Sequence, residues 1–316
     1  MKRSLAVAVL IVVSLPLWLE DYYQHIMILV CLFGYLGICW NILGGLAGQL
    51  SLGASLFFGA GAYTYSILHY REALPFGMSV GLAVLLVLIL AIAIGIPTFR
   101  FGLSGVQFSM ATIAFAEMAR ILVLHEPFLG AAEGFSLPFQ SVYPSKLEYC
   151  YIIIALLVSA AVAFWWLEGR NAGLALKLVR EHEATAEATG INARASKLAA
   201  LCMSAAGIAI GGIFYAEYFL YLHPDSEFGF DVSVRIAAAS IFGGRVSVLG
   251  PVIGSAILTP LAEGSRALVG VGGRGVHQII HGLALIVACV FFPSGIVDGI
   301  RRVISEGLRR YHGRDA

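Results

Sequence analysis

Charge is what this chain has least of. Only 12% of its 316 residues are Asp, Glu, Lys or Arg, against 59% hydrophobic residues. A net charge of +1 gives no basic surface for nucleic acid. Cysteine is sparse too. Cys31, Cys39, Cys150, Cys202 and Cys289 stand far apart with no C-x-x-C pair. Neither a zinc site nor a disulfide framework is indicated, and thiols acting as small hydrophobes account for them. Phosphate-binding motifs are missing. Gly190-Ile-Asn-Ala-Arg-Ala-Ser-Lys197 ends like a P-loop but lacks the glycine before the lysine, so any ATP used is hydrolysed by another chain. Gly270-Val-Gly272-Gly-Arg-Gly275 fits G-x-G-x-x-G but follows an apolar run rather than the strand a dinucleotide site needs. His277 and His281 stand at i, i+4 with no third ligand nearby, short of a metal site. No Ser/His/Asp or Cys/His set has a convincing context, and Gly53-Ala-Ser55-Leu56 lacks the glycine of a G-x-S-G intramembrane protease. The chain is not read as an enzyme, and no cofactor or metal is expected.

What it has instead is long apolar runs and a mean hydropathy of +0.87. Apolar segments fall near 4–19, 26–43, 54–70, 76–97, 105–124, 149–167, 198–220, 232–244, 248–264 and 277–293. A helical crossing needs about 20 apolar residues, so the expectation is an all-α polytopic membrane protein with about ten transmembrane segments. Thirty-six glycines fit close helix packing, with small-xxx-small pairs at Gly77/Gly81, Gly207/Gly211 and Gly250/Gly254. Lys2 and Arg3 before Leu5–Leu19 resemble a secretory signal, but no small-residue cleavage site follows; an uncleaved first span is expected. The basic residues set the orientation. Lys2, Arg3, Arg100, Arg170, Lys177, Arg180, Arg194, Lys197 and the tail's Arg301, Arg302, Arg309, Arg310 and Arg314 fall inside. The links with Glu20 and Asp21, with Glu126, Glu133 and Glu148, and with Asp225, Glu227 and Asp231 fall outside. Both termini are then cytoplasmic, and residues 1–316 form one transmembrane domain with a cytoplasmic tail at 299–316.

Two crossings are irregular. The segment 232–244 is short, and 41–54 is broken by Gly44, Gly45, Gly48 and Gly53. Ile42-Leu43-Gly44-Gly45 followed by Leu52-Gly53 loosely parallels Ile241-Phe242-Gly243-Gly244 followed by Leu249-Gly250. This fits two related halves with interrupted helices whose freed backbone lines a protected cavity, or else two glycine-rich turns. Charge concentrates once, in a loop at 168–197. It reads as one amphipathic helix over 171–190, with Asn171 as N-cap and Gly190 at the C-terminus. Lys177 and Glu181 can pair at i, i+4, and Leu174 with Leu178 gives an apolar strip. Glu183 and Glu187 are like charges one turn apart, a cost more easily understood if a partner supplies cations.

Several stretches resemble a known family. They are Asn41-Ile-Leu-Gly-Gly-Leu-Ala-Gly-Gln-Leu-Ser-Leu-Gly53 with Phe57-Phe58-Gly59-Ala-Gly61-Ala-Tyr63, and Ala111-Thr-Ile-Ala-Phe-Ala-Glu117-Met-Ala-Arg120. Glu183 through Gly190-Ile191 follows, with Lys197 and Ser204-Ala205-Ala206-Gly207. Gly243-Gly244, Leu249-Gly250-Pro251, Gly254 and Phe291-Phe292-Pro293-Ser294-Gly295 complete the set. In this order they resemble the permeases of branched-chain amino-acid ABC transporters, the LivM/LivH family, and lean to its LivM branch. The resemblance implies an importer with a second, LivH-type permease, two cytosolic ATPase subunits and a periplasmic substrate-binding protein, set in membrane lipid. Leucine, isoleucine or valine is the expected cargo; related permeases carry urea and short amides.

Under this reading the insert is the ATPase-coupling element, carried by Lys177, Arg180, Glu183, Ala184, Glu187 and Gly190. The translocation path or gate is expected among Asn41, Gly48, Gln49, Ser51, Gln107, Glu117, Arg120, Gly243 and Gly244. The uncharged ones fit interhelical hydrogen bonds as well as a pore lining, and Glu117 with Arg120, at i, i+3, fits a structural clamp or a gate. The competing class is an ion-coupled secondary transporter, which needs an acidic residue deep in the membrane. Glu117 is taken as its one candidate.

Overall fold

A soluble helix shows one apolar stripe, whereas a membrane helix is apolar all round, so burial must be decided by side-chain size rather than polarity. The helix Phe76–Arg100 illustrates this. Ala83, Val87, Ala91 and Gly95 face inward, while Leu82, Leu85, Leu86, Ile89, Ile92 and Ile96 are exposed. The computed structural model describes residues 16, 20–138, 145–244, 246–269 and 282–283. These are almost wholly helical, as expected. The expected spans 4–19 and 277–293, the 270–275 motif, the histidine pair and the 299–316 tail lie outside the described residues, apart from Pro16 and residues 282–283.

In chain order, α1 is Asp21–Asn41, prolonged by a π turn Ile42–Leu46; α2 is Ala54–Ser66, prolonged by a π turn Ile67–Arg71. Then come α3 (Phe76–Arg100), α4 (Gly105–His125), α5 (Lys146–Glu168), α6 (Asn171–Glu181), α7 (Glu183–Ala188) and α8 (Ala193–Phe219). The short α9 (Pro224–Glu227), α10 (Phe230–Gly243) and α11 (Leu249–Val269) follow. Five of these have the length and apolarity to cross a bilayer: α1 with its π turn, α3, α4, α5 and α8. The 14-residue α10 is too short; at 1.5 Å per residue it covers about 20 Å of a roughly 30 Å hydrocarbon layer. Short segment and broken segment are therefore where the sequence places them, although the π turn carries the first helix on to Leu46 and confines the break to residues 47–53.

The bundle is built around α1, whose buried residues run round the whole helix from Leu32 to Asn41. It packs against α5, α8, α10 and α11, and α2 packs against α8. Gly207 and Gly211 make the α1–α8 approach close: a Cβ on either would lie 2.5 Å from Cys39 Sγ or Leu36 Cδ2. Gly250 and Gly254 likewise sit against the backbones of Gly244 and Ala239. Gly77/Gly81 is different. A Cβ at either would meet nothing within 4 Å, so among the described residues this pair packs against no helix.

The links gather at two ends of the bundle. At one end Lys146 pairs with Asp21 at 3.5 Å, Arg120 with Asp225, and Arg71 donates to the Phe128 carbonyl. There β1 (Phe135–Ser136) pairs antiparallel with β2 (Tyr221–Leu222), Phe135 opposite Leu222. The other end holds the 47–53 break, residues 101–104, the charged insert, Gly244 and residues 246–248. Ser109 Oγ donates to Leu50 O at 2.6 Å there, and the Leu52 amide donates to Thr112 Oγ1 at 3.2 Å.

Candidate coupling and translocation site

The charged insert folds as two helices, not the single helix its sequence predicts. His182 adopts an extended conformation (φ −149°, ψ 99°) between α6 and α7. The reason is tertiary. Val179, Ala186 and Ala193 are all buried in one small cluster, with Leu178 and Ile191 against it. On a straight helix Val179 and Ala186 would stand about 10 Å apart along the axis, and the bend brings both onto Ala193. Asn171 is the first helical residue rather than the cap; Arg170 occupies the cap position without a side-chain bond. Gly190 does end α7 as expected. It has φ +85°, and the amides of Gly190 and Ile191 donate to the carbonyls of Glu187 and Ala186, a Schellman arrangement that needs a residue tolerant of positive φ.

The ion pairs also differ from those the spacing predicts. Lys177 does not pair with Glu181; its Nζ lies 2.8 Å from Glu168 at the end of α5, and Glu181 lies 3.7 Å from Arg180. Glu183 finds its cation within the chain, 2.6 Å from Lys197 Nζ, whose side chain is only 5% exposed. An i, i+4 pair on a helix surface is worth a few tenths of a kcal/mol and yields to a tertiary partner. The strip of α6 turned to the bundle is Gly173, Leu176 and Val179, while Leu174 is exposed and Leu178 half-buried. Of the predicted coupling residues, Ala184, Glu187 and Gly190 lie on the exposed face of the insert.

Arg180 points the other way. Its stem crosses Gly48, which has φ +70°, and its Nη1 donates to the Gly45 carbonyl at 2.8 Å. A Cβ on Gly48 would overlap Arg180 Cγ and stand 3.2 Å from its Cβ and Cδ. The structure thus joins two regions that the sequence offers only separately, the insert and the first helix break.

The two breaks are joined as well. Asn41 Nδ2 donates to the Ser247 carbonyl at 3.3 Å, Ser240 Oγ to the Gly37 carbonyl at 2.8 Å, and Gly243 lies against Gly250. Gly244 ends α10 at φ +129°. The indole of Trp40, fully buried, covers Gly44 and donates to Ser51 O at 2.7 Å. Asn41 Oδ1, Gln49 Oε1 and Ser51 Oγ are buried here without a hydrogen-bond partner among the described residues. Buried polar atoms normally have one, so this junction of breaks concentrates unspent hydrogen-bonding capacity.

Gln107 does not join it. It is exposed on α4, and Ser109 and Thr112, two and five residues on, are the residues that touch the 47–53 break. Glu117 and Arg120 do pair, with Arg120 Nε 3.0 Å and 3.1 Å from the two carboxylate oxygens. They sit at the opposite end from the breaks, where Arg120 also grips Asp225.

The sequence reading passed over Glu217. It lies within the apolar run 198–220, is 4% exposed, and its Oε1 accepts from Tyr65 at 2.5 Å and Tyr70 at 2.8 Å. Tyr149 donates to its backbone carbonyl at 3.0 Å, while Oε2 is buried without a partner among the described residues. An acidic residue inside a span was signal enough to find it. Glu227, 1% exposed in the link after β2, is a second buried acid; burial pushes its carboxyl up to about 8, although the His223 amide donates to it at 2.6 Å.

Comparison with known proteins gives a consistent picture. The profile of a family described as branched-chain amino acid transport system / permease component matches residues 22–289. The high-affinity branched-chain amino acid transport system permease protein LivM of Escherichia coli (strain K12) is 27% identical over 329 aligned residues. That alignment covers 95% of this chain and 76% of the relative. LivM of Salmonella typhimurium (strain LT2) matches with the same identity and coverage. No solved structure matches the chain.

Proposed function

The chain belongs to the branched-chain amino acid transport system permease family, and from that premise we propose that it is one membrane subunit of an ATP-driven importer of leucine, isoleucine or valine. It works in a bacterial inner membrane with a second permease of the LivH type, two cytosolic ATPase subunits and a periplasmic binding protein. The observation that carries the reading is the strut from insert to break. Arg180 leaves α6 and ends on Gly45, in the π turn that terminates the central helix. An ATPase pushing on the exposed face of α7 would move α6, and Arg180 would pass that motion to the 44–53 break and, through Asn41 and Ser247, to the second break. Glycines at both breaks let the backbone rearrange with little steric opposition. Glu117 and Arg120 act as a clamp at the outer end, tying α4 to the link after β2.

A mild-detergent pull-down of the tagged chain from its native host, with mass spectrometry of what is retained, tests the assembly. A second permease with ATPase subunits supports the proposal; a stable, folded chain alone contradicts it. An ion-coupled carrier is the second reading, and Glu217 is the observation in its favour. Uptake of labelled leucine, valine and urea into vesicles with ATP inside or a proton gradient then separates cargo and energy source.

A further inference from the structure

We propose that the groove between the end of α5 and the start of α6 seats the headgroup of an anionic phospholipid from the leaflet at the insert end. Trp165, Trp166, Glu168, Gly169, Arg170 and Lys177 line it, around a cavity of about 470 Å³. Tryptophan at the end of a spanning helix sits at headgroup level, with its ring in the acyl boundary and its N–H toward polar groups. Here two come in sequence, 70% and 56% exposed, and consecutive helical residues diverge so that the pair spreads along one wall. The guanidinium of Arg170 lies over the Trp166 ring at 4.6 Å, and Lys177 stands 2.8 Å from Glu168. Two cations face one carboxylate, leaving a surplus of one positive charge for a singly charged phosphodiester. A zwitterionic headgroup brings its own ammonium, which that surplus disfavours. Leu174, between the two cations in sequence and 57% exposed, provides an apolar surface next to a lipid chain. Neither the fold nor the ATPase-facing surface of α7 explains two adjacent exposed indoles with a cation stacked on one of them. A lipid in this seat would hold the root of α6, so leaflet composition would bear on the insert.

The test uses the full chain in nanodiscs, with Trp18→Phe so that emission comes from Trp165, Trp166 and the fully buried Trp40. Quenching is titrated with brominated phosphatidylglycerol and, separately, brominated phosphatidylcholine. The anionic lipid is expected to quench at about fivefold lower mole fraction, the effect of one basic residue near an anionic headgroup. Arg170→Gln is expected to reduce that preference to near unity and Arg170→Lys to retain much of it, which separates charge from misfolding. Equal quenching by the two lipids, or a preference unchanged in Arg170→Gln, overturns the proposal. So does loss of the preference on adding millimolar inorganic phosphate, which would mark a site for small anions. Loss of quenching by both lipids when ATPase subunits bind would make the groove a protein contact instead.

Discussion

Adding one methyl group at Gly48 should damage this protein in a predictable way. Gly48 has φ +70°, where an L-residue costs roughly 1–2 kcal/mol. The new Cβ would also overlap Arg180 Cγ, forcing the stem aside and breaking the 2.8 Å bond to the Gly45 carbonyl. A hydrogen bond to a charged group contributes about 1.5–3 kcal/mol; with Arg180 28% exposed, the lower figure applies. Gly48→Ala should therefore cost about 3 kcal/mol, Arg180→Ala about 1.5 kcal/mol, and the double variant clearly less than their sum, because the overlap is gone. Thermal unfolding of the purified chain in detergent supplies the cycle. In the reconstituted transporter, Arg180→Ala should leave ATP hydrolysis present and lower substrate moved per ATP by roughly tenfold, the weight of about 1.4 kcal/mol in the equilibrium that the strut biases. Additive costs to within about 0.3 kcal/mol would refute the contact. Full stoichiometry of transport in Arg180→Ala would refute the transmission.

Other expectations are shorter. Glu183→Lys should unfold or strongly destabilise the insert, by about 3–5 kcal/mol, because it strands Lys197; Lys197→Glu in the same chain should restore much of the loss, read by protease resistance of the 171–197 loop. Glu187→Lys, on the exposed face, should leave that resistance unchanged and weaken ATPase retention in a pull-down. Tyr65→Phe leaves Glu217 Oε1 with Tyr70 as its hydroxyl donor, and should lower the unfolding free energy by the worth of one hydrogen bond, about 0.5–1.5 kcal/mol. Glu227 holds its proton more tightly when folded, about 8 against 4.5. Its contribution is present in full below pH 4.5 and lost as pH rises through about 8. Unfolding midpoints should fall between pH 5 and pH 9, and the slope should flatten in Glu227→Gln.

Much of the architecture was legible because bilayer thickness imposes run length directly: the ends of α3, α4 and α5 lie within four residues of the apolar segments. Gly190 and the Gly207/Gly211 pair were legible because each answers a local requirement, a positive φ in one case and a close helix approach in the other. What escaped is non-local. Nothing in the spacing within the insert foretells that Ala193 will draw Ala186 back over Val179 and bend the chain at His182. Lys177 has a well-spaced acid at Glu181 and chooses Glu168, which only the α5–α6 turn brings near. Gly77/Gly81 has the pattern of a packing pair, but a span apolar on every side carries no mark of which face meets protein. Gln107 and Ser109 are two residues apart, and helical phase alone decides that the serine reaches the break while the glutamine is exposed. Glu217 was visible and missed, its two tyrosine donors lying 152 and 147 residues away in sequence.

Photo-crosslinking shows whether force from an ATPase enters through the insert. The co-expressed transporter would carry p-benzoylphenylalanine in place of exposed Ala184 on α7, or in place of Tyr221, 46% exposed at the opposite end. An adduct with the ATPase subunit is expected from position 184 and none from position 221. An ATPase adduct from 221, or its absence at 184 in a transporter that still hydrolyses ATP, would contradict that route of entry.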